Sequence, residues 1–208
     1  MLVKKGKPGG KGIVFLHGYG ANAQDLYPLA GELAWSNDET WYFPDAPLEI
    51  PLGMHFVGRA WWPIAISELQ KGVDFSNHTP AGMIKVATEV HKQLSALPHD
   101  KLILGGFSQG SMLATQLTLA NPDRYSGLVI LSGSCLQAGV WKKMAEKKPR
   151  HFFQSHGQSD EILTFEGAEK LHQLLTGAGW TGDLLSFRGG HEIPQSVLRA
   201  LQSYLREI

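Results

Sequence analysis

The sequence predicts an α/β protein in which helices cover both faces of a mostly parallel central β-sheet. Short apolar runs typical of strands alternate along the chain with longer stretches in which apolar residues recur every three or four positions. Several of the short runs, including residues 128–131, are apolar at every position. Such runs are expected of parallel strands that are buried on both faces.

The β-type runs predict six strands, at residues 13–17, 40–43, 101–105, 127–131, 151–155 and 183–187. Between the second and third of them, Thr79 is predicted to cap a helix whose first residue is Pro80 and which stops before Pro98. The same periodicity predicts three further helices, in segments 109–121, 165–177 and 197–205.

Residues 44–77 interrupt this rhythm, because they lack a clean period and contain four prolines. A segment of this length without regular structure usually forms a functional loop or a lid, since idle connections in compact domains are short. We expect it to form one wall of a substrate site, with Trp61, Trp62 and Met54 lining an apolar pocket. The alternative is that these side chains fill the core, which is common for tryptophan.

Length and composition indicate one domain spanning residues 1–208. A chain of 208 residues, 43% of them hydrophobic, can bury roughly 70% of the surface that its unfolded form exposes. Lys and Arg balance Asp and Glu at 19 each, so no nucleic acid partner is expected. No apolar run approaches the roughly 18 residues of a membrane span and no signal peptide is recognisable, so we expect no integral membrane segment and a cytoplasmic location. The single cysteine, Cys135, excludes an internal disulfide and a cysteine zinc site, and it is expected in the core.

The segment 101–110 is an apolar strand that runs directly into the pattern G-x-S-x-G, with a helical pattern behind it. A strand that turns at once into a helix strains the residue at the apex, here Ser108, and crowds the positions two residues away. Gly106 and Gly110 stand at those positions. The arrangement predicts a nucleophile elbow, with Ser108 as the nucleophile of a serine hydrolase.

A serine hydroxyl needs a base, and His191 is the best placed of nine histidines because it follows the last predicted strand and a pair of glycines. A carboxylate must then orient the imidazole. Asp160 and Glu161 both follow the strand at 151–155, so position alone does not choose between them. The chain order of serine, acid and histidine is that of the α/β-hydrolase arrangement.

An oxyanion hole requires two N–H donors that meet the carbonyl oxygen once it is negative. The residue after the nucleophile, Gln109, supplies one backbone N–H at the start of a helix. The second is expected from the glycine-rich turn after the first predicted strand, and we assign it to the backbone of Tyr19.

Five segments of the chain together resemble the phospholipase/carboxylesterase family, which includes the acyl-protein thioesterases. They are residues 15–22 (FLHGYGAN), 43–47 (FPDAP), 106–110 (GFSQG), 156–160 (HGQSD) and 190–191 (GH). The resemblance implies a small α/β hydrolase without cofactor or metal, with little or no cap domain, that cleaves carboxylic or thio esters. It implies that the triad is Ser108, Asp160 and His191, which favours Asp160 over Glu161.

The chain departs from that family pattern in two places. Glu161 to Leu163 stand where the family more often has a proline and valines, and residues 59–63 (RAWWP) look more like bacterial carboxylesterases. The second departure favours an esterase over a protein-depalmitoylating enzyme.

The predicted reaction is hydrolysis of a small ester of short to medium acyl chain through an acyl-enzyme. Hydrolysis of lysophospholipids, small lactones or acyl-protein thioesters stays open, as does a non-catalytic receptor for small acyl compounds. The oligomeric state is also open, a homodimer included.

Overall fold

The computed structural model describes residues 1–53, 57–64 and 75–208. The strands in these residues are β1 (Leu2–Lys4), β2 (Gly12–Leu16), β3 (Thr40–Phe43), β4 (Leu48–Pro51), β5 (Val57–Ala60), β6 (Leu102–Phe107), β7 (Tyr125–Leu131), β8 (Phe152–Gly157) and β9 (Leu184–Phe187). The helices are α1 (Ala23–Leu26), α2 (Leu29–Glu32), α3 (Met83–Ser95), α4 (Gln109–Ala120), α5 (Ala138–Ala145), α6 (Phe165–Gly177) and α7 (Gln195–Glu207).

Seven of these strands form one sheet in the order β1-β3-β2-β6-β7-β8-β9. Every neighbouring pair is parallel except β1 and β3. The predicted mostly parallel sheet is therefore confirmed, and all six predicted strands are present with boundaries shifted by up to two residues. The carboxyl ends of the parallel strands meet at one edge of the sheet, where side chains from several loops can converge.

Helices cover both faces of the sheet, because successive strand residues point to opposite sides. Val14 and Leu104 pack in a core with α3, α4, α5 and α6, whereas Ile13 and Ile103 pack in a second core with α1, α2 and α7. The helix α4 is buried along nearly its whole length. The residue directly before α4 is therefore fixed in position by the packing of this helix.

The start of α3 differs from the prediction. The helix begins at Met83 after Gly82, whose φ of 84° lies in the left-handed region. Thr79 does not cap it; its hydroxyl donates instead to Gln137 Oε1 at 3.0 Å. The backbone N–H of Gln137 also donates to the His78 carbonyl, so contacts with the loop after β7 override the local capping signal.

Part of the 44–77 region is regular, which corrects the expectation of an irregular loop. The strands β4 and β5 pair antiparallel, with Glu49 opposite Arg59 and an ion pair of 3.0 Å between these two side chains. Neither segment shows a clear alternation of apolar and polar residues in the sequence. Their pairing is therefore seen only in the tertiary structure. In the described parts of the chain, no helix is long and apolar enough to cross a membrane.

Candidate active site

The carboxyl edge of the sheet carries all the polar residues that the sequence analysis selected. Ser108 directly follows β6, Asp160 comes three residues after β8, and His191 comes four residues after β9. Tyr19 comes three residues after β2, which is the neighbour of β6.

The turn at Ser108 has the strained geometry expected of an elbow. Its φ and ψ are 53° and −121°, a conformation that residues with side chains rarely adopt. A Cβ on Gly106 would overlap the backbone of Gly110, and a Cβ on Gly110 would overlap the Leu16 carbonyl. The strain is held by hydrogen bonds, since the Ser108 N–H donates to the Leu131 carbonyl at 2.9 Å.

The Asp160 carboxylate is saturated with hydrogen bonds. Its Oδ1 accepts from the N–H groups of Ile162 and Leu163, both at 2.9 Å, and its Oδ2 lies 2.7 Å from His191 Nδ1. His156 Nε2 lies 3.3 Å from the same Oδ2. Burial alone raises the pKa of Asp160, but the hydrogen bonds from His156, His191 and the Leu163 N–H outweigh burial and hold the pKa well below its usual range. The carboxylate is therefore charged and oriented.

Glu161 is exposed, in contrast to its neighbour. The tight turn in which the Asp160 carboxylate accepts from the N–H groups of Ile162 and Leu163 points the side chains of Asp160 and Glu161 in different directions. Of the two acids left open by sequence position, the structure brings Asp160 to His191.

His191 lies between Asp160 and the elbow. Its ring packs against the Phe107 ring with 4.8 Å between centroids, and Phe107 immediately precedes Ser108. The Ser108 hydroxyl has no hydrogen bond to His191 in the described part of the chain. Hydrogen bonds of this kind are often long in free enzymes and tighten when substrate binds.

The loop that carries His191 passes close to the end of β8. A Cβ on Gly157 would overlap the carbonyl oxygens of Gly189 and Gly190. The loop that carries His191 does approach a neighbouring backbone closely, as expected from its glycine pair. The tightest contact, however, is at Gly157, where a side chain would not fit. A Cβ on Gly190 would meet its nearest atom at an ordinary 3.7 Å.

The glycine-rich turn after β2 lies beside the elbow. A Cβ on Gly18 would stand 3.3 Å from Ser108 Cβ. In the described residues, the N–H groups of Tyr19 and Gln109 donate to no backbone or side-chain acceptor, whereas Gly20 and Ala21 both donate. Two free donors therefore flank the apex of the elbow.

The two tryptophans are buried rather than exposed on a wall, at 2% for Trp61 and 1% for Trp62. The indole N–H of Trp61 donates to the His17 carbonyl at 2.8 Å. Trp62 lines a cavity of about 330 Å³ together with apolar residues that include Phe75 and Met112. Met54 lies outside the described residues.

Sequence reasoning missed the role of one buried neighbour of the site, His156. His156 contacts Asp160 and has no exposed surface, and His17 accepts a hydrogen bond from the Ala46 N–H at its Nε2. The spacing of His156 four residues before Asp160 was visible in the sequence, but a spacing alone does not place both groups in one turn. No group of three or more His, Cys, Asp or Glu side chains that could hold a metal ion occurs in the described ranges.

A parallel sheet whose strained serine turn lies beside a paired aspartate and histidine defines a hydrolase of the α/β-hydrolase class. A model of the family described as Phospholipase/Carboxylesterase matches residues 1–208, and the chain belongs to that family. The resemblance inferred from the sequence motifs is thereby confirmed.

Individual relatives agree with this assignment. Acyl-protein thioesterase 1 of Schizosaccharomyces pombe is 29% identical over 129 residues, which span 58% of this chain and 54% of that protein. A probable carboxylesterase of Oryza sativa is 24% identical over 206 residues, covering 93% of this chain and 76% of that protein. The crystal structure of esterase PE8 superposes with a TM-score of 0.81 at 26% identity, covering 100% of this chain and 97% of that one.

Proposed function

We propose that the protein is a carboxylesterase that hydrolyses small esters through a triad of Ser108, His191 and Asp160. The observation that carries the proposal is the 2.7 Å contact between His191 Nδ1 and Asp160 Oδ2 beside the strained turn at Ser108. A charged carboxylate can only accept, so Nδ1 carries the proton and Nε2 is left as a base.

The proposed reaction proceeds by two acyl transfers. His191 Nε2 takes the proton of the Ser108 hydroxyl as its oxygen attacks the ester carbonyl, and the tetrahedral oxyanion accepts from the N–H groups of Tyr19 and Gln109. The imidazolium then protonates the departing alcohol, which leaves an acyl-enzyme. Water, deprotonated by the same nitrogen, hydrolyses the acyl-enzyme and restores Ser108.

The test is labelling with a fluorophosphonate together with turnover of p-nitrophenyl esters. Ser108→Ala should remain folded, lose labelling, and lose about 10⁴-fold or more of its turnover. Cys135→Ser, which alters a buried thiol, serves as the matched control and should keep most of the activity. Near-normal hydrolysis by a folded Ser108→Ala protein would reject the assignment, and absence of both labelling and turnover in the unmodified protein would favour a receptor.

The preferred substrates are proposed to carry short to medium acyl chains. We take the cavity beside Trp62 as the acyl pocket; among the described residues that line it there is no member of the triad, but Met112 on its wall donates its N–H to the Ser108 carbonyl. Its volume of about 330 Å³ is at the small end of the roughly 300–1,000 Å³ typical of ligand pockets. In a p-nitrophenyl series, kcat/KM should reach its maximum before palmitoyl-length chains. A value that keeps rising to palmitoyl esters below their micelle concentration would contradict this.

A thioesterase is the second candidate, because the relative from Schizosaccharomyces pombe is named an acyl-protein thioesterase. Oxygen and sulfur esters of the same acyl group, offered in competition, decide between the two activities. A lysophospholipid in the same assay tests the remaining lipase alternative. The cytoplasmic location stays a prediction from the sequence.

A further inference from the structure

The segment 59–62 lies between the two loops that would form the oxyanion hole and is hydrogen-bonded to both. It runs from the end of β5 into the tryptophan pair. The rings of Trp61 and Trp62 in this segment are both buried, and Trp62 lines the cavity described above.

On one side, the segment is paired with the loop that carries Tyr19. The Gly20 N–H donates to the Arg59 carbonyl at 2.9 Å, and the Arg59 N–H donates to the Ala21 carbonyl at 3.0 Å. A Cβ on Gly58 would overlap the Gly20 carbonyl, so the two backbones touch. Tyr19, the residue before Gly20, is thereby held in place by β5.

On the other side, the segment is bound by the side chain of Gln109. Its Oε1 accepts from the Trp61 N–H at 2.9 Å, and its Nε2 donates to the Trp62 carbonyl at 2.8 Å. Gln109 is 1% exposed. A glutamine offers an acceptor and a donor together, so it can pair with this backbone as a neighbouring strand would.

A third contact closes the arrangement. The Trp61 indole donates to the His17 carbonyl, and the Trp61 ring lies 5.2 Å from that of His17 between centroids. The turn after β2, the segment 59–62 and the start of α4 are therefore linked to one another by hydrogen bonds, while the N–H groups of Tyr19 and Gln109 stay without an acceptor among the described residues.

We propose that the side chain of Gln109, acting through the segment 59–62, is a positioning residue that sets the separation of the two oxyanion donors. The inference rests on the proposed function, since it concerns the same two N–H groups. Donors must lie about 2.7–3.1 Å from the oxyanion and must be held there before the reaction. An error of about 1 Å in such a position can lower turnover by about 10²-fold.

The structure offers a closely matched control in Gln116. This residue lies on the same helix, is also buried, and its side chain also takes part in two hydrogen bonds, from Gln137 Nε2 at 2.7 Å and from Trp141 Nε1 at 2.8 Å. Its partners belong to α5 and the loop before it, away from the turn after β2.

The test compares Gln109→Met with Gln116→Met, since methionine keeps the length of the side chain and removes its hydrogen bonds. The backbone N–H of residue 109 is present in both variants. Gln109→Met should lower kcat about 10²-fold with little change in KM, because it displaces an interaction made in the transition state. Gln116→Met should lose similar stability in urea but keep kcat within about three-fold. Phenylboronic acid, which forms a tetrahedral adduct on serine, should bind more weakly only to the Gln109 variant.

A loss of kcat that is equal in the two variants, or a change confined to KM, would overturn the proposal. If Gln109→Met does not fold, Trp61→Phe removes the indole bond to His17 together with part of the buried ring that packs on it, and unchanged kcat in that variant would equally reject the proposal. Ser108→Ala distinguishes a failure of the positioning role of Gln109 from a failure of the proposed triad. If that variant is inactive while Gln109→Met is normal, the positioning role fails and the proposed triad stands.

Discussion

The side chains of His156 and Asp160 are both completely buried, with His156 Nε2 3.3 Å from Asp160 Oδ2. The same Nε2 lies 2.8 Å from the Leu163 carbonyl. Because a carbonyl only accepts, Nε2 carries a proton that lies between this carbonyl and the carboxylate. His156 thus joins the two ends of the turn that holds the acid of the proposed triad.

Replacing His156 by phenylalanine should therefore affect stability and turnover together. The change leaves the Leu163 carbonyl buried and unpaired, so the free energy of unfolding should fall by about 1–3 kcal/mol, measured in urea. Turnover should also fall, because Asp160 loses a contact that orients it. His172→Phe is the control, since His172 Nε2 bonds the Gly182 carbonyl ahead of β9, away from the site. Unchanged turnover in the folded His156 variant would show that this histidine only stabilises the turn.

Asp160→Asn and Glu161→Gln should differ by several orders of magnitude in kcat. The asparagine amide can donate to His191 and so favour the wrong imidazole tautomer, a change that costs about 10⁴-fold in the well-studied serine protease triad. Glu161 is exposed, and its replacement should cost about two-fold or less. Both variants remove one negative charge at adjacent positions. Comparable losses in kcat would indicate a general electrostatic effect on His191. A larger loss for Glu161→Gln would show that Glu161, and not Asp160, is the acid that orients His191.

Gly157→Ala should displace the loop that carries His191. The added Cβ overlaps the carbonyl oxygens of Gly189 and Gly190, and overpacking of this kind typically lowers the free energy of unfolding by about 1–3 kcal/mol. Turnover should fall more than stability alone explains, at temperatures where the variant is folded. The control is Gly177→Ala at the end of α6, where an added Cβ meets nothing within 4 Å. Full activity in folded Gly157→Ala would show that the loop can shift without moving the imidazole.

The stability of the protein should depend on pH through His17. Burial lowers the pKa of His17, while the unfolded chain takes up a proton near the usual value of about 6.5. Below that pH the unfolded state binds more protons than the folded state, so the free energy of unfolding falls as the pH is lowered. In urea at pH 7.5 and 5.5, the fall should be smaller for His17→Gln, which cannot titrate. Equal falls for both proteins would assign the effect to other histidines.

Features that depend on local residue types could be predicted from the sequence. Several of the six predicted strands are continuous apolar runs, and Ser108 between Gly106 and Gly110 allows a turn that larger residues would block. Strand order along the chain places Asp160 and His191 at the same edge as Ser108 whenever the sheet is parallel. Their catalytic roles stay predictions.

Contacts between distant segments were decided by the tertiary structure alone. The aromatic side chains of Trp61 and Trp62 are compatible with a pocket or a core, and their burial follows from partners about 45 residues away in the chain, His17 and Gln109. Thr79 and Pro80 match the sequence pattern of a helix start, yet the Thr79 hydroxyl donates to Gln137 and does not cap the helix. The sequence by itself determined the sheet and the serine turn, because backbone sterics and apolar periodicity act over a few residues. Only the tertiary structure decided which loops contact and support one another, because these buried hydrogen bonds join residues that lie far apart in the sequence.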